Sequence, residues 1–368
     1  MSQQQALSQW TQCVAHHLPH LSKPQAVVLA AFSLGLALAR RCTLSAVAEA
    51  VAGLGKPDPV ERRLQRVLST PRVAWQPRME ALAAWVLTRV APAAVIVLLV
   101  DETSLGAHLK VMVVSLASRG RALPLAWWCY RHAVWPLPQV ALSTARLQRV
   151  APHIPAGAHV LVQADRGLGT SPELLQAIDT LGWSYLVRVQ RTVRLWLDDG
   201  RTVPFAHLVS RPGQRWSGWA YAFKKAGWLR CGAVGQWRRP HQEAWLLLTN
   251  WPQAQGQWYG LRMWEETAFR DQKSNGWQWQ RSHVWDPEHA NRLWLVMALA
   301  YAWALSLGTR VIRTARLRQE LTRGNAWRRS AFPLGLRLLK RRLALGRQLM
   351  YDLCLMPHLP TLSKSVVQ

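Results

Sequence analysis

The spacing of apolar residues divides the chain into a helical start, a central region with strands and a helical end. Over Ser8–Val90, apolar residues recur every three or four positions, and prolines separate short helices (Pro24, Pro57, Pro59 and Pro71). At residue 94 the period changes. Val95–Val100 is a continuous apolar run rich in β-branched residues, which predicts a central strand buried on both faces.

Strands and helices alternate after this first strand. Two more predicted strands follow directly, Leu109–Leu116 and Leu123–Tyr130. The next predicted elements are a helix, a strand, a helix and a strand: 138–150, 159–164, 173–180 and 184–189. Hairpins followed by this alternation predict an α/β fold, with a mixed sheet flanked by helices.

Residues 190–257 interrupt the alternation with short strands joined by turns, which predicts an antiparallel β insertion. Helical character returns at Trp258. The predicted organisation is therefore a helical N-terminal domain (1–92), a core in two parts (93–189 and 258–310) around the insertion (190–257), and a basic helical C-terminal region (311–368). Basic side chains near the helix breaks of residues 1–92 suit a DNA-binding domain, and a helical bundle with a solvated basic face is the alternative.

The charge balance narrows the range of partners. The chain has 46 Lys and Arg against 19 Asp and Glu, a formal net charge of +27. This excess argues against a small-molecule enzyme of neutral surface and indicates a polyanionic partner, with anionic lipid headgroups as an alternative to nucleic acid. The apolar stretches Ala26–Ala39 and Leu293–Gly308 are shorter than the roughly 20 residues that span a membrane and predict buried helices. Five scattered cysteines fit a reducing cytoplasm.

Two aspartates stand at the ends of predicted buried strands. Asp101 follows Val95–Val100, and Asp165 closes the strand that ends at Ala164. The carboxyl ends of strands are where α/β sheets place ligands and chemistry. For either aspartate alone, capping of a loop is the alternative.

A third acid, Glu266, lies in a proline-free stretch, 258–275, that predicts one helix. At about 100° per residue, five polar side chains fall on one stripe roughly 80° wide: Tyr259, Arg262, Glu266, Arg270 and Lys273. The opposite side (Leu261, Trp264, Ala268) suits packing on the sheet, and Glu265 and Asp271 point away from the stripe. The pattern favours a metal-binding carboxylate among phosphate-binding groups, and a salt-bridged surface stripe is the alternative.

Enzymes that act on phosphodiesters use carboxylates and basic side chains together in one site. Two divalent ions held by carboxylates activate the nucleophile and stabilise the leaving oxygen. Mg²⁺ prefers oxygen ligands, and Arg or Lys side chains neutralise the other phosphate oxygens.

The spacing Tyr259-x2-Arg262-x3-Glu266-x6-Lys273 resembles the Tyr-Arg-Glu-Lys signature of bacterial insertion-sequence DDE transposases. Asp101 and Asp165 look like the first and second aspartates of that family, and the resemblance spans roughly 95–308. It implies an RNase H-like catalytic core with a β insertion. It further implies that Asp101, Asp165 and Glu266 bind two Mg²⁺ ions, which Mn²⁺ can replace.

The resemblance also implies how DNA is handled. Tyr259, Arg262 and Lys273 would grip phosphates near the cleaved end, and the helical stripe adds Arg270. Water and then the freed 3′-hydroxyl would act as nucleophiles, and a homodimer would join two terminal inverted repeats to target DNA. A base flipped from a hairpin would be held by a tryptophan of the insertion, with five candidates: Trp216, Trp219, Trp228, Trp237 and Trp245.

The sequence therefore predicts a bacterial cytoplasmic, nucleoid-associated DNA transposase that does not span a membrane. Two alternatives remain open: a two-metal nuclease without strand transfer, and a catalytically decayed DNA-binding protein. Both would carry the same acids in the same order.

Overall fold

The computed structural model describes residues 2–51, 53, 55–90, 95–239, 241–321 and 330–355. Parts of the predicted C-terminal region, with Arg323, Arg328 and Arg329, lie outside these ranges. The helices are α1 (Gln3–His17), α2 (Lys23–Ala39), α3 (Leu44–Ala50), α4 (Pro57–Ser69), α5 (Trp75–Leu87), α6 (Gln139–Val150), α7 (Pro172–Thr180), α8 (Met263–Gln272), α9 (Pro287–Arg313), α10 (Ala315–Leu321) and α11 (Ala331–Ala344).

Ten strands are present in the described residues. They are β1 (Val95–Leu105), β2 (Leu109–Ser118), β3 (Arg121–Arg131), β4 (His159–Ala164), β5 (Ser184–Arg188), β6 (Arg194–Leu197), β7 (Thr202–Pro204), β8 (Arg215–Ala222), β9 (Leu229–Gln236) and β10 (Trp245–Thr249). The strands predicted from the apolar pattern are present, and most of their ends lie within two residues of the predicted position. The largest difference is in β1, which is five residues longer than its apolar run.

All ten strands form one sheet in the order β3-β2-β1-β4-β5-β10-β9-β8-β6-β7. The pairs β1–β4 and β4–β5 are parallel, and all other neighbours are antiparallel. The mixed α/β sheet with an antiparallel insertion is therefore confirmed. The insertion does not form a separate sheet, because β10 pairs with β5 and continues the core sheet.

Strand β1 has two different neighbours along its length. Its parallel pairing with β4 ends at Val100 opposite Ala164, whereas its antiparallel pairing with β2 continues to Leu105 opposite Leu109. The prediction that the strand ends at Val100 was wrong for this reason: the polar residues after Val100 remain hydrogen-bonded to β2. Asp101 consequently lies within β1, at the point where β4 has ended.

The long helix α9 crosses the centre of the molecule. It has the length and hydropathy of a membrane span, but 89% of its most apolar window is buried inside the protein, as in the core helix of a folded domain. The predicted burial of Leu293–Gly308, and of most of Ala26–Ala39 in α2, is confirmed. The N-terminal helices share this core, since Trp10 of α1 stacks on Trp303 of α9 with ring centroids 4.2 Å apart. All five cysteines are free thiols.

Helices α9 and α11 cross in close contact through two glycines. A Cβ on Gly308 would lie 1.7 Å from the carbonyl oxygen of Ala331, and a Cβ on Gly335 would lie 1.7 Å from that of Ala304. Only glycine permits backbones to approach this closely. The crossing fixes the C-terminal helix against the core.

Candidate active site

Asp101 and Asp165 lie on neighbouring parallel strands at the same edge of the sheet. Val100 and Ala164 are partners in the β1–β4 register, so the two aspartates occupy the next position on each strand. The Asp101 side chain is largely buried, with 8% of the residue exposed. The Oδ1 atom of Asp165 accepts backbone hydrogen bonds from Gly167 (2.9 Å) and Leu168 (3.1 Å), which hold the loop after β4 in a tight turn.

The segment that carries Glu266 is not one continuous helix. A 3₁₀ helix over Gly256–Arg262 precedes α8, which ends at Gln272. The assumption of 100° per residue over 258–275 was therefore wrong, because a 3₁₀ helix turns by more per residue. Gln163 of β4 donates from Nε2 to the carbonyl oxygen of Trp258 (2.9 Å) and fixes the 3₁₀ helix on the sheet.

The members of the predicted stripe differ in burial, although the charges of Arg262, Asp165 and Asp101 all act on the Tyr259 hydroxyl. Tyr259 is buried (4% exposed), and Arg270 is exposed on the outer side of α8. Arg262 and Glu266 are partly buried. Leu261 and Ala268 are buried and Trp264 is partly buried, as expected for the side that packs inward.

Arg262 joins the first aspartate to the glutamate. Its Nη2 donates to Oδ2 of Asp101 (2.7 Å), and its Nη1 donates to Oε1 of Glu266 (2.8 Å). The guanidinium thus lies between two carboxylates that are 165 residues apart in sequence. A planar guanidinium is suited to this double contact because its donors point in fixed directions.

Two other carboxylates act on Asp101 at this edge. Burial raises the pKa of Asp101 from 3.8 to about 6, Arg262 opposes the rise, and the negative charges of Asp165 and Glu266 add to it. Mutual repulsion of carboxylates in a poorly solvated cleft is a feature of functional sites. Among the described residues, no three His, Cys, Asp or Glu side chains are arranged so that they hold one metal ion together.

Lys273 contacts the same strand as Asp101. Its Nζ donates to Oγ1 of Thr103 (2.7 Å), two residues beyond Asp101 on β1, and burial lowers its pKa. Glu102 faces the other side of the sheet, as expected, where it pairs with Lys110 (2.6 Å) and contacts the Tyr130 hydroxyl. Arg166 forms an ion pair with Glu243 (3.3 Å).

Two buried acids of α8 anchor the helix and were not assigned a role from the sequence. Glu265 accepts a hydrogen bond from Ser115 Oγ of β2 (3.0 Å). Asp271 accepts from Arg121 Nε of β3 (2.5 Å) and from the Tyr301 hydroxyl of α9 (2.9 Å). Their position away from the polar stripe was the one sequence feature that could have indicated burial. A solvent-exposed acid can have the same position on a helix, so the feature does not distinguish the two cases.

The five tryptophans of the insertion lie in different surroundings. Trp245 contacts Tyr259 edge-on, with ring centroids 5.3 Å apart, and so packs against the 3₁₀ helix that precedes α8. Trp237 donates to the carbonyl oxygen of His241 (2.9 Å). Trp216 packs on Phe205, on the opposite sheet face from Trp219. Trp228 lies near Trp196.

Comparison with known protein families gives a match over part of the chain. Residues 140–303 match the transposase DDE domain family; the match includes Asp165 and Glu266 and begins after Asp101. A search of curated proteins finds no match. The match supports a DDE transposase family and transposase activity in general, with DNA as partner; divalent metals are general to such enzymes. The mixed sheet flanked by helices is consistent with the RNase H-like transposase fold predicted from the sequence.

Proposed function

We propose that the chain is a DNA transposase of the Tyr-Arg-Glu-Lys branch, which binds terminal inverted repeats, cleaves phosphodiester bonds and transfers strands. One observation carries the proposal. Arg262 bonds Asp101 and Glu266 at the sheet edge where Asp165 follows the neighbouring strand. Asp165 and Glu266, from distant parts of the sequence, therefore act on Asp101 beside a cation from the predicted signature.

The donor atoms at this edge are of the kind that a hard divalent cation takes, although the three side chains do not surround one point in this structure, where Arg262 lies between Asp101 and Glu266. Asp101, Asp165 and Glu266 offer carboxylate oxygens, which Mg²⁺ prefers and Mn²⁺ also accepts. We assign these three residues as the ligands of two such ions, which when bound supply Lewis-acid activation of a nucleophile and stabilisation of the leaving oxygen. Arg262 already places positive charge between two of the acids.

The chain's own cations would position the DNA. Arg262 would exchange a carboxylate for a non-bridging phosphate oxygen, since both offer the same paired acceptors. Lys273 is anchored on Thr103 of the strand that carries Asp101. We assign its charge to a phosphate near the cleaved end. We assign Tyr259 and the exposed Arg270 to phosphates flanking the reacting one.

The wider molecule supplies the electrostatics for a long DNA ligand. The solvent side of α4 carries Arg62, Arg63 and Arg66, all exposed. We propose that the N-terminal helices recognise the inverted repeats and that two copies of the chain act together on two ends. The net charge of +27 favours association with any polyanion and predicts strong salt dependence.

Cleavage of a plasmid that carries the element's ends tests the assignment. We expect Asp101→Asn, Asp165→Asn and Glu266→Gln each to abolish cleavage while end binding in a gel-shift assay remains within about threefold. Asp198→Asn, at an exposed turn between β6 and β7, is the matched control and should cut normally. Cleavage retained by any of the three variants would refute the metal assignment.

The products separate the proposal from its two alternatives. Precut ends joined to a target plasmid identify a transposase, and cleavage without joining identifies a two-metal nuclease. End binding by the wild-type chain with no cleavage in Mg²⁺ or Mn²⁺ identifies a decayed DNA-binding protein.

A further inference from the structure

The sheet face that carries Asp101 continues across the insertion without a helix to cover its far part. Residues that pair across two strands point to the same face of the sheet. Leu99, two residues before Asp101, pairs with Gln163, so both share the face of Asp101. The pairings through β5 and β10 extend this face to Gln236 of β9. The 3₁₀ helix covers this face as far as β9, where Gly256 approaches Val234. Beyond it, strands β8 and β6 present the same face to solvent.

This open face, defined by the residues of β6, β8 and β9 that point with Asp101, is aromatic and basic. Trp196 and Trp219 are 39% and 38% exposed, although large aromatic side chains are normally buried. Tyr221 lies opposite both Trp196 and Arg230 in the register, and its ring centroid is 5.1 Å from that of Trp196. Arg230 lies 5.4 Å above the Trp219 ring.

Cations surround the aromatic rings. Arg194 and Arg215 are exposed on the same face. A cavity of about 710 Å³ adjoins it, and Arg194, Lys224, Lys225 and Trp228 contribute to its lining, with Glu173 as the acid among the lining residues. Over residues 190–257 the sequence has ten Lys and Arg against three Asp and Glu. The charge is complementary to a phosphate backbone.

We propose that the open face binds a single-stranded segment of DNA, with bases stacked on Trp219 and Trp196 and the backbone held by Arg230, Arg215 and the lysines. Stacking on exposed aromatic rings between basic side chains is how single strands are held without reading their sequence. A duplex hides the faces of its bases, so exposed rings on a flat strand surface suit an unpaired strand better. The proposal takes DNA as the partner from the proposed function.

The position of the open face separates it from the cleavage chemistry. Five strand-to-strand steps lie between β1 and β8, which at about 4.8 Å each amounts to about 24 Å. A base flipped next to the reacting phosphate must lie within a few ångströms of the acids. The open face therefore holds DNA several nucleotides away from the cleaved bond.

Fluorescence anisotropy of a labelled 20-nucleotide single strand, in EDTA so that nothing is cut, tests the proposal. We expect Trp219→Ala and Trp196→Ala each to weaken binding at least about fivefold and Trp219→Phe to retain most of the affinity, because the stacking surface remains. Trp135→Ala is the control: Trp135 is also exposed (43%) but follows β3, at the other edge of the sheet. Thermal melting of each variant establishes that it is folded.

The outcomes are distinct. Single-strand affinity that stays within twofold of wild type in both alanine variants overturns the proposal, as does equal weakening of single-strand and duplex binding. A loss in Trp219→Phe as large as in Trp219→Ala would also exclude stacking. Failure of the proposed function shows instead in cleavage by Asp165→Asn, and that variant should bind the single strand normally.

Discussion

Arg262 donates a hydrogen bond of 2.7 Å to Asp101, a residue 161 positions earlier in the chain and on a different element. This ion pair is largely buried on both sides, with side-chain exposures of 13% and 11%. Removal of one partner from a buried pair leaves the other charge without compensation. Substitution of Arg262 is therefore a direct test of how this ion pair controls the ionisation of Asp101.

Replacement of Arg262 should shift the ionisation of Asp101. Because Arg262 lowers the pKa of Asp101, Arg262→Ala should raise that pKa further. Titration of the ¹³C-labelled aspartate carboxyls by NMR, in metal-free protein, measures the shift. Arg89→Ala removes an exposed cation whose charge acts on Cys13 and His17 of α1, and it should leave the titration unchanged. An unaltered Asp101 titration in Arg262→Ala would mean that Arg262 does not affect the pKa of Asp101.

Asp101 should cost stability at neutral pH. Its folded-state pKa of about 6 lies above its ordinary 3.8, so its contribution to stability is present below about pH 3.8 and is lost as the pH rises through about 6. Asp101→Asn has no such charge. Its stability relative to wild type should therefore rise by about 2.5 kcal/mol between pH 4 and pH 8 in urea unfolding without metal. A constant difference across this range would contradict the raised pKa.

Lys273 should contribute to the salt dependence of DNA binding. If its ammonium contacts one phosphate, Lys273→Ala should reduce the slope of log affinity against log salt by about one unit. Binding measured from 50 to 300 mM salt gives the slope. Thr103→Val is the companion variant, since it keeps the charge but removes the acceptor that positions it. An unchanged slope in Lys273→Ala would leave Lys273 with a structural role alone.

Asp271 should be important for folding and not for metal binding. Asp271→Asn leaves Arg121 without its charged partner in a nearly dry site, and we expect a loss of about 3–5 kcal/mol in unfolding free energy. Glu173→Gln, which alters an exposed acid, should change stability by less than about 0.5 kcal/mol. Equal stabilities for the two variants would show that α8 does not depend on this anchor.

The glycine crossing predicts a second stability effect. Gly335→Ala would place a methyl group against the backbone of Ala304, so the helices must separate, at a cost of about 1–3 kcal/mol or more. Gly260→Ala is the matched control, because its nearest neighbour would lie 3.8 Å away. A Gly335→Ala protein that melts at the wild-type temperature would rule out the close crossing.

The sequence carried enough information to predict the strands but not their complete pairing. The apolar run defined β4 to the residue, because burial on both faces leaves a nearly continuous apolar signature. The polar end of β1 was missed, since Asp101-Glu102-Thr103 extends the strand through pairing with β2 alone. The spacing of Arg262 and Glu266 predicted a shared stripe, and the structure brings the two together with Asp101. No local pattern predicted the 3₁₀ segment in which Tyr259 is buried, because its contacts with the sheet, such as the hydrogen bond from Gln163 to Trp258, join residues far apart in sequence.

The single ten-stranded sheet has a consequence for how the molecule could measure DNA. A hinge between separate domains would let the insertion swing relative to the acids. Hydrogen-bonded strands do not slide past one another without breaking their ladders, so the span from β1 to β8 is set by the number of strands between them. The distance between the acids and the open face is therefore fixed. An added or deleted strand pair would change the length of DNA between the cleaved bond and the bound single strand.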